Sequence, residues 1–144
     1  MTSQLNVDTI VDKAGSGGTN VKVGNTSTYV SDGGAKTQNT VQSLVKLWAC
    51  WVGTGTPAYQ DSFNASSLTD SGTGDYAVVN TNNFASTNYS VTNTLQHTTS
   101  NSDCDAPASQ TDGGLTTSTR CLAFNGGGLV DVVYYNTQMA GDLA

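Results

Sequence analysis

The sequence predicts a mainly β protein with extended N-terminal strands, a short α-helical trimerisation neck and a C-terminal antiparallel β-sandwich head. Three observations predict it. All eleven acidic residues are Asp and the chain has no Glu; Glu is a good helix former, whereas Asp favours caps and turns. Apolar and polar residues alternate in short runs, the period of a half-buried strand. From Gly53 onward, turn signals recur about every 8–12 residues, the spacing of a sandwich or barrel.

Residues 1–35 read as an extended region. Leu5, Val7, Thr9 and Val11 alternate with Gln4, Asn6, Asp8 and Ile10, which argues a strand. Gly15-Ser16-Gly17-Gly18 breaks it; Val21-Lys22-Val23 and Tyr29-Val30 are further short extended pieces, the last ending at Asp32-Gly33-Gly34. Short strands of this kind need partners, because a lone hairpin is marginal. In residues 36–47, Val41, Leu44, Val45 and Trp48 fall at i, i+3, i+4 and i+7, one face of a helix. Thr37, Asn39 or Thr40 caps its start. Two isolated turns are unstable in water, so three copies packed along this stripe are expected to form a parallel neck. A competing reading runs the strand at Leu47–Val52 backwards through the same residues.

The head, residues 48–144, offers candidate strands at Ala58–Ala65, Asp75–Thr81, Tyr89–Thr98, Ser118–Phe124 and Val130–Asn136. Ser66–Asp70 leads into a hairpin turn at Ser71-Gly72-Thr73-Gly74, and Asn125-Gly126-Gly127-Gly128 makes a second, since glycine reaches positive φ without steric cost. In the last strand Val130, Val132 and Tyr134 are expected on one face and Asp131, Val133 and Tyr135 on the other, with apolar residues on both.

Composition bounds the function. The chain has 144 residues and a formal net charge of −6. Its five cations, Lys13, Lys22, Lys36, Lys46 and Arg120, form no cluster able to neutralise a phosphate backbone, so no nucleic-acid partner is expected. No apolar run reaches the roughly 18 residues needed to span a membrane, so no membrane insertion is expected. Met1–Asp8 lacks a basic stretch followed by an apolar core, so no secretory leader is expected. The hydrophobic fraction is 36%; only with the glycines added does it reach the range of about 45–50% usual for globular domains. An obligate oligomer, whose copies share a core, resolves that shortage. Three cysteines are too few and too odd for a secreted disulfide framework. Cys50 reads as a small buried hydrophobe, while Cys104 and Cys121 flank a polar stretch and are either paired or reduced.

Motifs for chemistry are sparse. His97 is the single histidine and reads as a loop-edge residue; with Asp103, Cys104 and Asp105 it matches no standard metal-ligand spacing. Asp70-Ser-Gly-Thr-Gly-Asp75 offers hard oxygen ligands, but a calcium loop of the EF-hand type needs a distal Glu, so a hairpin turn is the better reading. The glycine-rich stretches lack the Lys-Ser/Thr of a phosphate loop, and no Gly-x-Ser-x-Gly elbow is present. Asn64-Ala65-Ser66 and Asn88-Tyr89-Ser90 match glycosylation acceptors in form only. A glycan-cleaving enzyme would need an acidic pair in a cleft. The expectation is therefore a protein that is no enzyme, with no catalytic residues, no cofactor and no metal.

Ser3-Gln-Leu-Asn-Val-Asp-Thr-Ile10 followed by Lys13-Ala-Gly-Ser-Gly-Gly18 resembles the opening of short fibre proteins of marine and cyanobacterial tailed bacteriophages. Asn39–Lys46 with Gly53–Thr56 is similar to the junction before their C-terminal domain, and Asp61–Asp70 with Gly72–Tyr76 resembles its first hairpin. The likeness covers most of residues 3–80 and fades beyond Asn82. It implies a homotrimeric virion protein, assembled in the host cytoplasm, whose N-terminal strand docks on other virion proteins. Leu5, Val7, Thr9, Ile10 and Val11 would then form the anchor, and Val41, Leu44, Val45 and Trp48 the trimer neck. Loop residues Asp70, Thr73, Asp75, His97, Asp103 and Asp105 are the candidate distal contacts, for a host cell-surface glycan. The alternative is a capsid decoration or cement protein that stabilises the head without touching a receptor.

Overall fold

The structure, a computed structural model, describes residues 27–30, 34, 36–96, 115–125 and 128–144. The chain divides into two compact units, Met1–Val41 and Gln42–Ala144. In the first, β1 (Thr28–Val30) and β2 (Thr37–Asn39) pair antiparallel, Tyr29 opposite Gln38. In the second, β3 (Val45–Val52), β4 (Ala58–Phe63), β7 (Ser90–Gln96) and β11 (Tyr134–Ala140) form a four-stranded antiparallel sheet in the order β4-β3-β11-β7. A three-stranded sheet follows the order β5-β6-β8, from β5 (Ala65–Gly72), β6 (Asp75–Asn80) and β8 (Ser118–Leu122). The short β9 (Phe124–Asn125) and β10 (Gly128–Leu129) make a hairpin.

The two larger sheets share one core. Leu47, Ala49 and Trp51 of β3 and Tyr135 and Met139 of β11 meet Tyr76 and Val78 of β6 and Cys121 of β8, all buried. Period two is what makes this work: alternate residues of each strand reach one face. At the centre Trp51 stacks on Tyr135 with ring centroids 4.4 Å apart. It meets Tyr76 edge-on at 6.1 Å and Tyr59 edge-on at 6.4 Å. The Tyr76 hydroxyl donates to Gly53 O and to Asp131 Oδ1, and the Tyr135 hydroxyl to Leu122 O. Gly53 is required there, because a side chain would collide with the Tyr76 ring. A second stack, Phe84 on Tyr89, lies in the same core; the Tyr89 hydroxyl pairs with Thr119 Oγ1 at 2.8 Å.

Several expectations change. No helix occurs among the described residues. Residues 36–47, read as a helical neck, are instead β2, a turn at 40–43 and the start of β3. The helical spacing of Val41, Leu44, Val45 and Trp48 overlaps a period-two set, Leu47, Ala49 and Trp51; the second set wins because a strand delivers it whole to the core. The strand expected over Ala58–Ala65 breaks at Asn64, which takes φ 59° and turns the chain from one sheet into the other. The strand expected over Val130–Asn136 begins at Tyr134, and Val132 and Tyr135, expected on opposite faces, are both buried. Cys50 is half-buried on the outward side of β3, and Cys121 is a free thiol in the core. Burial pushes the Cys121 thiol up to about 12.

Trp51→Ala should cost about 3–5 kcal/mol, the range for removing a buried large aromatic, read as a lower urea midpoint with an unchanged slope. A loss under about 1 kcal/mol would show that the Trp51 cluster does not join the sheets.

Candidate functional site

The β5–β6 turn was the first candidate contact region, and its carboxylates are committed to holding it. Asp70 Oδ1 accepts from Gly72 N at 3.0 Å, closing the turn on itself. Asp75 accepts from Arg120 through both oxygens, Nε to Oδ1 at 2.8 Å and Nη2 to Oδ2 at 2.6 Å, tying β6 to β8. That bidentate bond holds the Asp75 carboxyl below its ordinary range, against the opposing effect of burial. Gly74, at φ +64°, packs so closely against Val130 and Ala123 that no side chain fits; its N donates to Asp131 Oδ1. Thr73 alone of the turn candidates is exposed with no structural bond assigned to its side chain. His97, Asp103 and Asp105 lie outside the described residues, as do Leu5, Val7, Thr9, Ile10 and Val11.

Asn64 is a clip. Its Nδ2 donates to Lys46 O and Asn82 O, and its Oδ1 accepts from Asn82 N and Asn82 Nδ2. Three of these bonds fasten the corner between β4 and β5 to Asn82 just after β6 and the fourth ties it to β3, so the formal acceptor motif at Asn64 marks a structural residue.

The outward face of the four-stranded sheet gathers what the sequence left scattered. Register places Trp48 between Phe63 and Gln138, and Cys50 between Asp61 and Asn136. On the far side, Gln138 faces Thr92, Asn136 faces Thr94 and Tyr134 faces Gln96. The face is divided. Its β3–β4 half is aromatic, with Phe63 54% and Trp48 36% exposed, and Leu44 and Val45 stand exposed at the start of β3. Its β7–β11 half is polar and uncharged: Thr92, Thr94, Asn136 and Gln138 are exposed and, with Thr137, line a shallow depression of about 130 Å³.

Of the expected neck residues, Leu44, Val45 and Trp48 are thus surface residues of the second unit, while Val41 is half-buried at the end of the first. Phe63, Thr92, Thr94, Asn136 and Gln138 escaped sequence reasoning. Their alternation was visible, but their adjacency depends on β7 and β4 flanking β11 and β3, which no local pattern encodes. Among the described residues no three His, Cys, Asp or Glu side chains gather to hold a metal ion, and no helix is long and apolar enough to cross a membrane. No protein-family model, no curated protein and no solved structure matches the chain.

Because the native Asp75 value is lowered, its stabilisation is complete above the unfolded value of about 3.9 and is lost as pH falls through the native value. Asp75→Asn should therefore destabilise at pH near 7 and converge with the parent in strong acid, measured by urea unfolding across pH. A gap that stays constant into strong acid would exclude the ion pair as its cause.

Proposed function

We propose that the chain is a non-enzymatic structural protein of a bacteriophage particle: a homotrimeric short tail fibre. It docks through Leu5, Val7, Thr9, Ile10 and Val11 on other virion proteins and presents the two-sheet unit to the host surface. The observation that carries this reading is the apolar strip of Leu44, Val45, Trp48 and Phe63, exposed just where the chain enters the second unit. Clustered exposed apolar side chains rimmed by polar residues mark contact with another protein. A three-fold axis running along such a strip would bring the same residues of all three copies together there. The likeness of residues 3–80 to short phage fibres supplies the particle and the order of anchor before head. The helical neck is no part of the proposal; strand residues take its place.

Sedimentation equilibrium of the full chain at micromolar concentration should give three times the chain mass. Phe63→Asp, which places a charge in each copy of the shared strip, should give monomer with an unchanged circular dichroism spectrum. A monomeric parent would remove the trimer. Immunogold microscopy of the particles should label tail ends; even labelling over the capsid would favour the decoration reading, and unlabelled particles would overturn both.

A further inference from the structure

We infer that β7 is a docking edge for a second copy of this chain: two β7 strands pair antiparallel about Asn93 and join their four-stranded sheets into one continuous sheet. The two larger sheets end in β4 and β7 on one and β5 and β8 on the other. An open edge presents unpaired backbone groups, and proteins guard such edges with bulges or charges. Three of these edges are guarded. β4 carries Asp61 and a register shift against β3, β5 carries Asp70 and two shifts against β6, and β8 carries Arg120. β7, Ser-Val-Thr-Asn-Thr-Leu-Gln, has no charged residue and pairs with β11 in unbroken register from Ser90 to Gln96. No other strand among the described residues pairs with it.

Asn93, the midpoint of the strand, selects the occupant. It alternates inward with Val91 and Leu95, which pack against the core. Both polar atoms of its carboxamide are buried, and neither bonds any described residue. A buried amide left so keeps its full desolvation penalty. Antiparallel pairing about the midpoint sets Asn93 opposite the partner's Asn93, on the same face, with Cβ atoms about 4.5–5.5 Å apart. Each carboxamide has donors and an acceptor, so the two exchange hydrogen bonds. The same register sets Val91 opposite the partner's Leu95, extending the apolar inner face, and Thr92 opposite the partner's Thr94, a pair that bonds across strands. Two-fold symmetry repeats both pairs on the other side of the axis. No charges meet along this contact, whereas copies of net charge −6 otherwise repel. A foreign strand would meet the same backbone groups, but only this chain's own β7 brings a second Asn93. Seven residues along a sheet edge give a contact on the order of 240 Å², against about 800 Å² per partner in a stable interface. The pairing is therefore weak and forms where the chain is concentrated. It lies at the opposite edge of the sheet from Phe63, so it adds to the trimer proposed above and does not depend on it.

Sedimentation velocity of the full chain, run from micromolar to several hundred micromolar, should show the low-concentration species doubling in mass at the upper end. Thr92→Lys/Thr94→Lys sets like charges opposite each other in the contact and should abolish the doubling. Ser67→Lys/Thr69→Lys, the same change of charge on β5, should leave it intact. Thr92→Glu/Thr94→Glu should also stay undoubled by itself. An equal mixture of the two β7 variants should double again, because Lys then faces Glu in every such pair. All four substituted side chains are exposed, so circular dichroism should match the parent throughout. A parent that never doubles, a β7 variant that doubles alone, or a mixture that stays undoubled would overturn the pairing. The trimer is read separately at the micromolar end. A monomer that doubles to a dimer keeps the β7 contact and removes the trimer; a trimer that never doubles does the reverse.

Discussion

Trp51 stands where the two sheets meet, and most of the second unit is organised around it. Its indole stacks on Tyr135 from the neighbouring strand and receives Tyr76 edge-on from the opposite sheet. Large aromatic rings bury more apolar area per residue than any other side chain, which matters in a chain with so modest a hydrophobic fraction. The cost of burying two phenols there is met locally, since both hydroxyls find acceptors in Gly53, Asp131 and Leu122. Burial raises both tyrosines far above their ordinary titration range, so they stay neutral donors. The indole Nε1 is buried without a partner, so the stack has to outweigh that penalty.

Once the aromatic centre is set, the loops follow. Gly53 permits the Tyr76 hydroxyl to approach, and Asp131 serves both that hydroxyl and the N–H of Gly74. The β5–β6 turn is thereby anchored to the segment before β11 rather than left as a free tip. Asn64 does the same at the other corner, holding the crossing from one sheet to the other with its own carboxamide. Residues that looked like ligand contacts, Asp70 and Asp75 among them, act as fasteners.

A core that takes the inner faces leaves the outer ones to function. The outward side of the four-stranded sheet has an aromatic half and an uncharged polar half, side by side. The two halves suit different physics: apolar side chains associate by excluding water, over areas a protein partner supplies. Carboxamides and hydroxyls instead pair with groups that match their hydrogen-bonding capacity one for one. The trimer proposed above would close the first half and leave the second open.

Much of the fold was legible in the chain itself. The absence of Glu, the period-two runs and the glycine-bounded turns determined a mainly β, antiparallel architecture, and the hairpin at Ser71–Gly74 was readable because glycine there relieves a backbone constraint. Local pattern could not arbitrate residues 41–51, where a helical set (Val41, Leu44, Val45, Trp48) interleaves with a strand set; only the core, by accepting Leu47, Ala49 and Trp51 together, decided for strand. Nor could it separate Asp75 as a ligand from Asp75 as the partner of Arg120, since that pairing joins strands remote in sequence. The candidate face lies at the same limit. Thr92, Asn136, Trp48 and Phe63 are unremarkable in their own segments, and they become one surface only because strand order, set by long-range packing around Trp51, brings β4, β3, β11 and β7 edge to edge.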